Sequence, residues 1–140
     1  MAKKILIVSV SVLLVVVVWL VFFRSKLGPD PQFVNPALNV INSLNVGDYQ
    51  NATRDFTPAL KARMTDEWLS PKWSQAIAMY GPLKECAVTR VTRGESESGL
   101  NNIYGVYITC TFERGPLYGI VKFDRQKQIS QFDVYGSPQR

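Results

Sequence analysis

Histidine is missing from all 140 residues, and cysteine occurs only twice, at Cys86 and Cys110. The first absence removes the side chain whose ordinary pKa lies nearest neutrality, together with the commonest metal-ligating ring. Two cysteines without histidine cannot assemble a structural zinc site of the usual four-ligand kind. A serine nucleophile would lack its customary imidazole base. Charge of one sign is scarce as well. The net charge is +5, but four of the sixteen basic residues, Lys3, Lys4, Arg24 and Lys26, flank a single apolar run. The other twelve stand against eleven acidic residues, which leaves +1 and no basic footprint for nucleic acid. No metal or cofactor and no nucleic-acid partner is predicted.

What the chain does have is the run Ile5–Phe23, uncharged and interrupted only by Ser9 and Ser11. As one helix it would measure about 28 Å, close to the hydrocarbon thickness of a bilayer. A cleavable signal peptide is the competing reading, but such peptides have shorter apolar stretches and end in small residues. Here the run ends Trp19-Leu20-Val21-Phe22-Phe23-Arg24-Ser25-Lys26. Aromatic and basic residues of this kind favour the membrane interface, so Trp19, Phe22, Phe23, Arg24 and Lys26 are expected there. The expectation is a retained single-pass signal anchor in the lipid bilayer. Lys3, Lys4 and the amino terminus outweigh Arg24 and Lys26, which places the N-terminus in the cytoplasm and the C-terminal domain outside, periplasmic or extracellular.

Gly28, Pro29, Pro31 and Pro36 then mark an extended spacer. The resulting division is an anchor with basic flanks over 1–26, a Pro/Gly linker over 27–35 and an α+β domain over 36–140. In the first half of that domain, Pro36 with Asn35 as cap opens a helix whose stripe is Ala37, Val40, Ile41 and Leu44, ended by Gly47. Short helical pieces follow around Tyr49–Phe56, Ala59–Met64 and Asp66–Leu69. Another begins with Ser70 as cap and Pro71 at its first position and ends at Gly81-Pro82. Trp68 and Trp73 read as core or rim anchors.

The second half has period two. Strands are expected over Leu83–Arg93, Ile103–Glu113, Leu117–Asp124 and Gln128–Tyr135, joined by hairpins. Short helices followed by a four-stranded antiparallel meander define an α+β class with the helices on one sheet face. If the first hairpin centres on Ser98, Val88 lies opposite Ile108 and Cys86 opposite Cys110. Antiparallel Cα atoms in such a pair are within disulfide reach, so the two are either an oxidised structural bridge or two buried thiols. The same register puts Val91, Tyr107, Thr109, Tyr118 and Ile120 on the face away from the helices. That face is rich in aromatic and β-branched residues and is the candidate partner-docking surface.

The Leu44–Phe56 cadence around Gly47-Asp48-Tyr49, the Tyr80-Gly81-Pro82-Leu83 helix exit, Phe112-Glu113-Arg114-Gly115 and Val121-Lys122-Phe123-Asp124 together resemble an uncharacterised exported bacterial domain family. That family is similar to the cone-shaped nuclear-transport-factor-2-like superfamily. The resemblance implies a curved sheet wrapped on helices with a pocket at the mouth of the cone, and its motifs carry no catalytic content. Enzymes of the superfamily use acid/base groups in the pocket. Glu85 and Asp133, with Tyr104 or Tyr107 as donors, are the residues that could serve here. The reading favoured by the sequence is a non-catalytic, membrane-anchored accessory subunit that tethers its domain to a membrane-protein partner or a second copy. The alternative is a ligand-binding or enzymatic pocket protein of the same fold.

Overall fold

The computed structural model describes residues 11–20, 29–93 and 102–136. Its first unit, up to Asp30, contributes one described helix, α1, over residues 11–20. The ten described residues of this helix measure about 15 Å, roughly half a bilayer's hydrocarbon core. Among the described residues no helix is long and apolar enough to cross a membrane. This corrects the expected transmembrane helix over Ile5–Phe23, and with it the single-pass, signal-anchor and periplasmic-domain assignments. Hydropathy reports how apolar a run is and does not by itself fix the length of the helix that it forms. Residues 5–10 and 21–23 of that run lie outside the described residues, as do the expected interface residues Phe22, Phe23, Arg24 and Lys26. Trp19 is exposed on α1.

The second unit begins at Pro31. Helix α2 (Pro31–Asn45) starts five residues before the expected Pro36 and carries that proline inside it, so part of the expected linker is helical. The reason is Phe33. It extends the stripe of Ala37, Val40, Ile41 and Leu44 by one turn, stacking on Tyr104 at 4.2 Å and meeting Phe123 edge-on at 5.1 Å. That burial outweighs the one backbone bond that Pro36 cannot donate. Helix α3 (Tyr49–Ala52) is capped by Asp48, whose carboxylate accepts from the Asn51 N–H. It is clasped to α2 through Asn51 Nδ2, which donates to Ser43 Oγ at 2.8 Å and Asn39 Oδ1 at 3.2 Å. Helix α4 (Pro58–Arg63) has Thr57 as N-cap and proline in its first turn.

Helix α5 (Asp66–Tyr80) fuses the two expected pieces and absorbs Pro71. Asp66 and Glu67 complement the positive end of its dipole. Its far end is held by the turn at Glu113-Arg114. Arg114 donates from its backbone to Tyr80 C=O at 2.7 Å, and from its guanidinium to Ala78 C=O at 2.8 Å and Met79 C=O at 3.2 Å. A sheet turn therefore fixes where α5 lies.

Strands β1 (Leu83–Arg93), β2 (Asn102–Phe112), β3 (Gly115–Asp124) and β4 (Ile129–Tyr135) form one antiparallel meander in sequence order. The Cys86–Cys110 and Val88–Ile108 pairings hold, but a bulge then shifts the register so that Arg90 faces Tyr107 and Val91 faces Val106. Such a shift moves the following side chains to the opposite face. Val91 consequently packs against the core and leaves the docking face to which it was assigned. The helices cover one face, where Val106, Ile108, Phe112, Val121, Phe123 and Ile129 are nearly inaccessible.

Candidate functional site

Large hydrophobic side chains are exposed at four described positions beyond Pro31: Val46, Trp68, Met79 and Val134. Three of these line one cleft. Trp68, 42% exposed, and Met79, 59% exposed, come from α5, and Val134, 39% exposed, from β4. The cavity between them is about 470 Å³, within the range of small-ligand sites. Leu69, Trp73 and Ala76 form the helical wall, Phe132 to Gly136 the strand wall, and Leu44, Met64 and Leu117 the remaining apolar lining.

The cleft lies between α5 and β4. At its start β4 is sealed by the segment before α4, through a parallel bridge between Phe56 and Ile129. Farther along, Phe132 to Gly136 line the cleft, and the C-terminal end of α5 is tied to the β2–β3 turn. Lys72 and Gln75 are the charged and amide side chains of the helical wall. Lys72 Nζ sits 4.5 Å over the Trp68 ring. Trp73 is buried, and its Nε1 is the buried side-chain polar atom without a hydrogen-bond partner among the described residues. Asp133 and Tyr135 pair with Ile120 and Tyr118, which puts their side chains on the sheet face opposite the helices. There Gln131 Nε2 donates to the Asp133 carboxylate at 2.6 Å. Burial, then the charge and hydrogen bond of Asp133, raise the Tyr135 pKa above its ordinary value.

The sequence-derived candidates are dispersed. Glu85 is exposed on β1 and Asp133 lies on β4, at opposite edges of the sheet, so the two carboxylates do not converge. Tyr104 is buried against Phe33, and Tyr107 lies under the Arg90 guanidinium at 3.9 Å. No group of three or more metal-ligating side chains occurs among the described residues. Tyr107, Thr109, Tyr118 and Ile120 do share a face and line a depression of about 330 Å³. Ile120 is already 7% exposed, however, and the hydroxyls nearby are engaged internally, Thr89 donating to Tyr107 C=O and Thr109 to Thr89. Cys86 and Cys110 are joined in a disulfide, with Cα atoms 4.0 Å apart. Sequence reading assigned Trp68 and Trp73 to core or rim and missed the cleft. The available signal was that Trp68 and Met79 lie off the buried Leu69–Trp73 stripe.

Fold and cleft define a small α+β domain with helices on one face of a meander sheet and one apolar recess. The chain belongs to a family described as a protein of unknown function (DUF3887), whose profile matches residues 37–132. No curated protein and no solved structure matches it.

Proposed function

We propose that this chain is a non-catalytic binding protein that takes an apolar group of a ligand or partner into the α5–β4 cleft. One observation carries the reading. Trp68, Met79 and Val134, three of the four exposed large hydrophobics described beyond Pro31, are gathered on one recess. Scattered exposed hydrophobics need no explanation, but a contiguous apolar patch around a cavity marks a binding site. Met64 and Met79 suit an adaptable surface, because the unbranched thioether repacks readily. The resemblance to the nuclear-transport-factor-2-like superfamily supports the same reading, since its architecture leaves a pocket where helices and sheet part.

The test is a titration of the full chain with indole and with decanoate, followed through the indole N–H signals of its three tryptophans. Saturable movement of the Trp68 and Trp73 signals, with that of Trp19 unaffected, is expected. Movement of Trp19 alone, or of none, would overturn the proposal.

A further inference from the structure

We propose that the cleft's occupant is an extended peptide segment of another chain, which adds to β4 as a fifth strand and places an apolar side chain beneath α5. The inference rests on the binding reading above and names its partner class.

Hydrogen-bond alternation decides which backbone groups of β4 are free. The Asp124 N–H donates to Gln128 C=O at 2.9 Å, so Asp124, and with it Lys122, Ile120 and Tyr118, bond towards β4. Their partners Gln131, Asp133 and Tyr135 therefore turn their N–H and C=O groups into the sheet. Phe132 and Val134, in between, turn theirs to the outer edge. Ile129 shows the same orientation directly, because its N–H donates to Asp55 C=O at 2.7 Å and its C=O accepts from Thr57 N–H at 2.9 Å. This edge thus already takes one strand-like partner. The partner ends at Thr57-Pro58, where α4 begins, and among the described residues no other segment pairs with β4 beyond it.

An open edge is an invitation to strand addition unless the protein blunts it. β1, the other edge of the sheet, carries exposed Lys84, Glu85, Arg90 and Arg93. The free stretch of β4 has no such guard. Its edge-facing residues are apolar, Phe132 and Val134, and the only charge there, Asp133, points to the far face. The open edge and the apolar recess also coincide, since Phe132 to Gly136 form the strand wall of the cleft. A strand laid about 4.8 Å from β4 would run along that wall, with alternate side chains directed at Trp68, Leu69 and Met79. Backbone bonds to Val134 and Phe132 would give affinity, and the recess would select an apolar residue at one position.

The experiment uses the full chain and a blocked Thr-Val-Thr-Val-Thr peptide amide. Two derivatives accompany it, one N-methylated at the valines and one at the threonines. The parent should bind and slow hydrogen exchange at the Val134 and Phe132 amides, with little change at Asp133, whose N–H is already bonded within the sheet. One methylated peptide should lose at least tenfold in affinity, and the other should bind like the parent. Loss on valine methylation indicates antiparallel addition, and loss on threonine methylation parallel addition. If both methylated peptides bind as the parent does, strand addition is overturned while the apolar cleft stands. Occupation by decanoate without peptide binding has the same consequence, in favour of a lipid-like ligand. If neither the peptide, nor indole, nor decanoate moves any cleft signal, both readings fall.

Discussion

Phe56 and Ile129 meet in a parallel bridge that ties the segment between α3 and α4 to the start of β4. Phe56 is 2% exposed and Ile129 fully buried, so the bridge also closes the core at that end. The next residue, Thr57, has two duties. Its N–H completes the bridge, and its Oγ1 accepts from Leu60 N–H at 3.2 Å as the N-cap of α4. Thr57→Ala keeps the first and removes the second. It should cost about 1 kcal/mol, read as a lower urea midpoint with an unchanged slope. A cost near zero would mean that the cap contributes nothing to this short helix.

The Cys86–Cys110 disulfide closes a loop with a sequence separation of 24. In the chain-entropy account a loop of this size contributes about 3.5 kcal/mol, acting on the unfolded chain. Reduction with dithiothreitol, or the double change Cys86→Ala with Cys110→Ala, should lower the melting temperature by roughly ten degrees or more. Calorimetry with and without reductant is the check. Equal melting temperatures would show that the bridge constrains nothing the sheet does not already hold.

Much of the scaffold was legible because it follows from short-range pattern. The α2 stripe, the four strands and the opposition of Cys86 to Cys110 all come from periodicities of 3.6 and 2. The bulge after Val88 was not legible. Val88, Thr89, Val91 and Thr92 are all β-branched, and such a run gives no alternation from which an extra residue could be located. That one residue moved Val91 from the expected docking face into the core. The cleft was hidden for another reason: Trp68 and Val134 are distant in sequence and share a recess only in the folded chain. The apolar run at the N-terminus was plain in composition, but composition does not fix helix length.

Tyr135 carries a raised pKa, caused first by burial and then by the charge and hydrogen bond of Asp133. The unfolded chain then gives up this proton at a lower pH than the folded one, so above about pH 10 it binds fewer protons than the native state. The contribution to stability is complete below that pH and is lost as pH rises through the folded pKa. Tyr135→Phe should abolish this part of the alkaline decline. Asp133→Asn should shift the phenol titration, followed by absorbance near 295 nm, back towards its ordinary position. No movement on Asp133→Asn would leave burial, with the smaller effect of Tyr107, as the cause.

Gly81 ends α5 with φ +82° and ψ −170°, a region that glycine alone occupies readily. Its surroundings are also full, since a Cβ built there would stand 3.0 Å from Glu113 Cβ. Gly47, which ends α2, has a similar φ of +77° but nothing within 4 Å of a built Cβ. The pair separates backbone strain from crowding. Gly47→Ala should cost about 1 kcal/mol, from conformation alone. Gly81→Ala should cost more, about 2–3 kcal/mol, because the turn that binds Arg114 to the end of α5 must also give way. Displacing that turn moves Met79 and Tyr80, so Gly81→Ala should also weaken indole binding in the cleft several-fold while Gly47→Ala leaves it unchanged. Urea unfolding and the indole titration measure the two effects separately. Equal losses of affinity in the two variants would mean that the end of α5 does not shape the site.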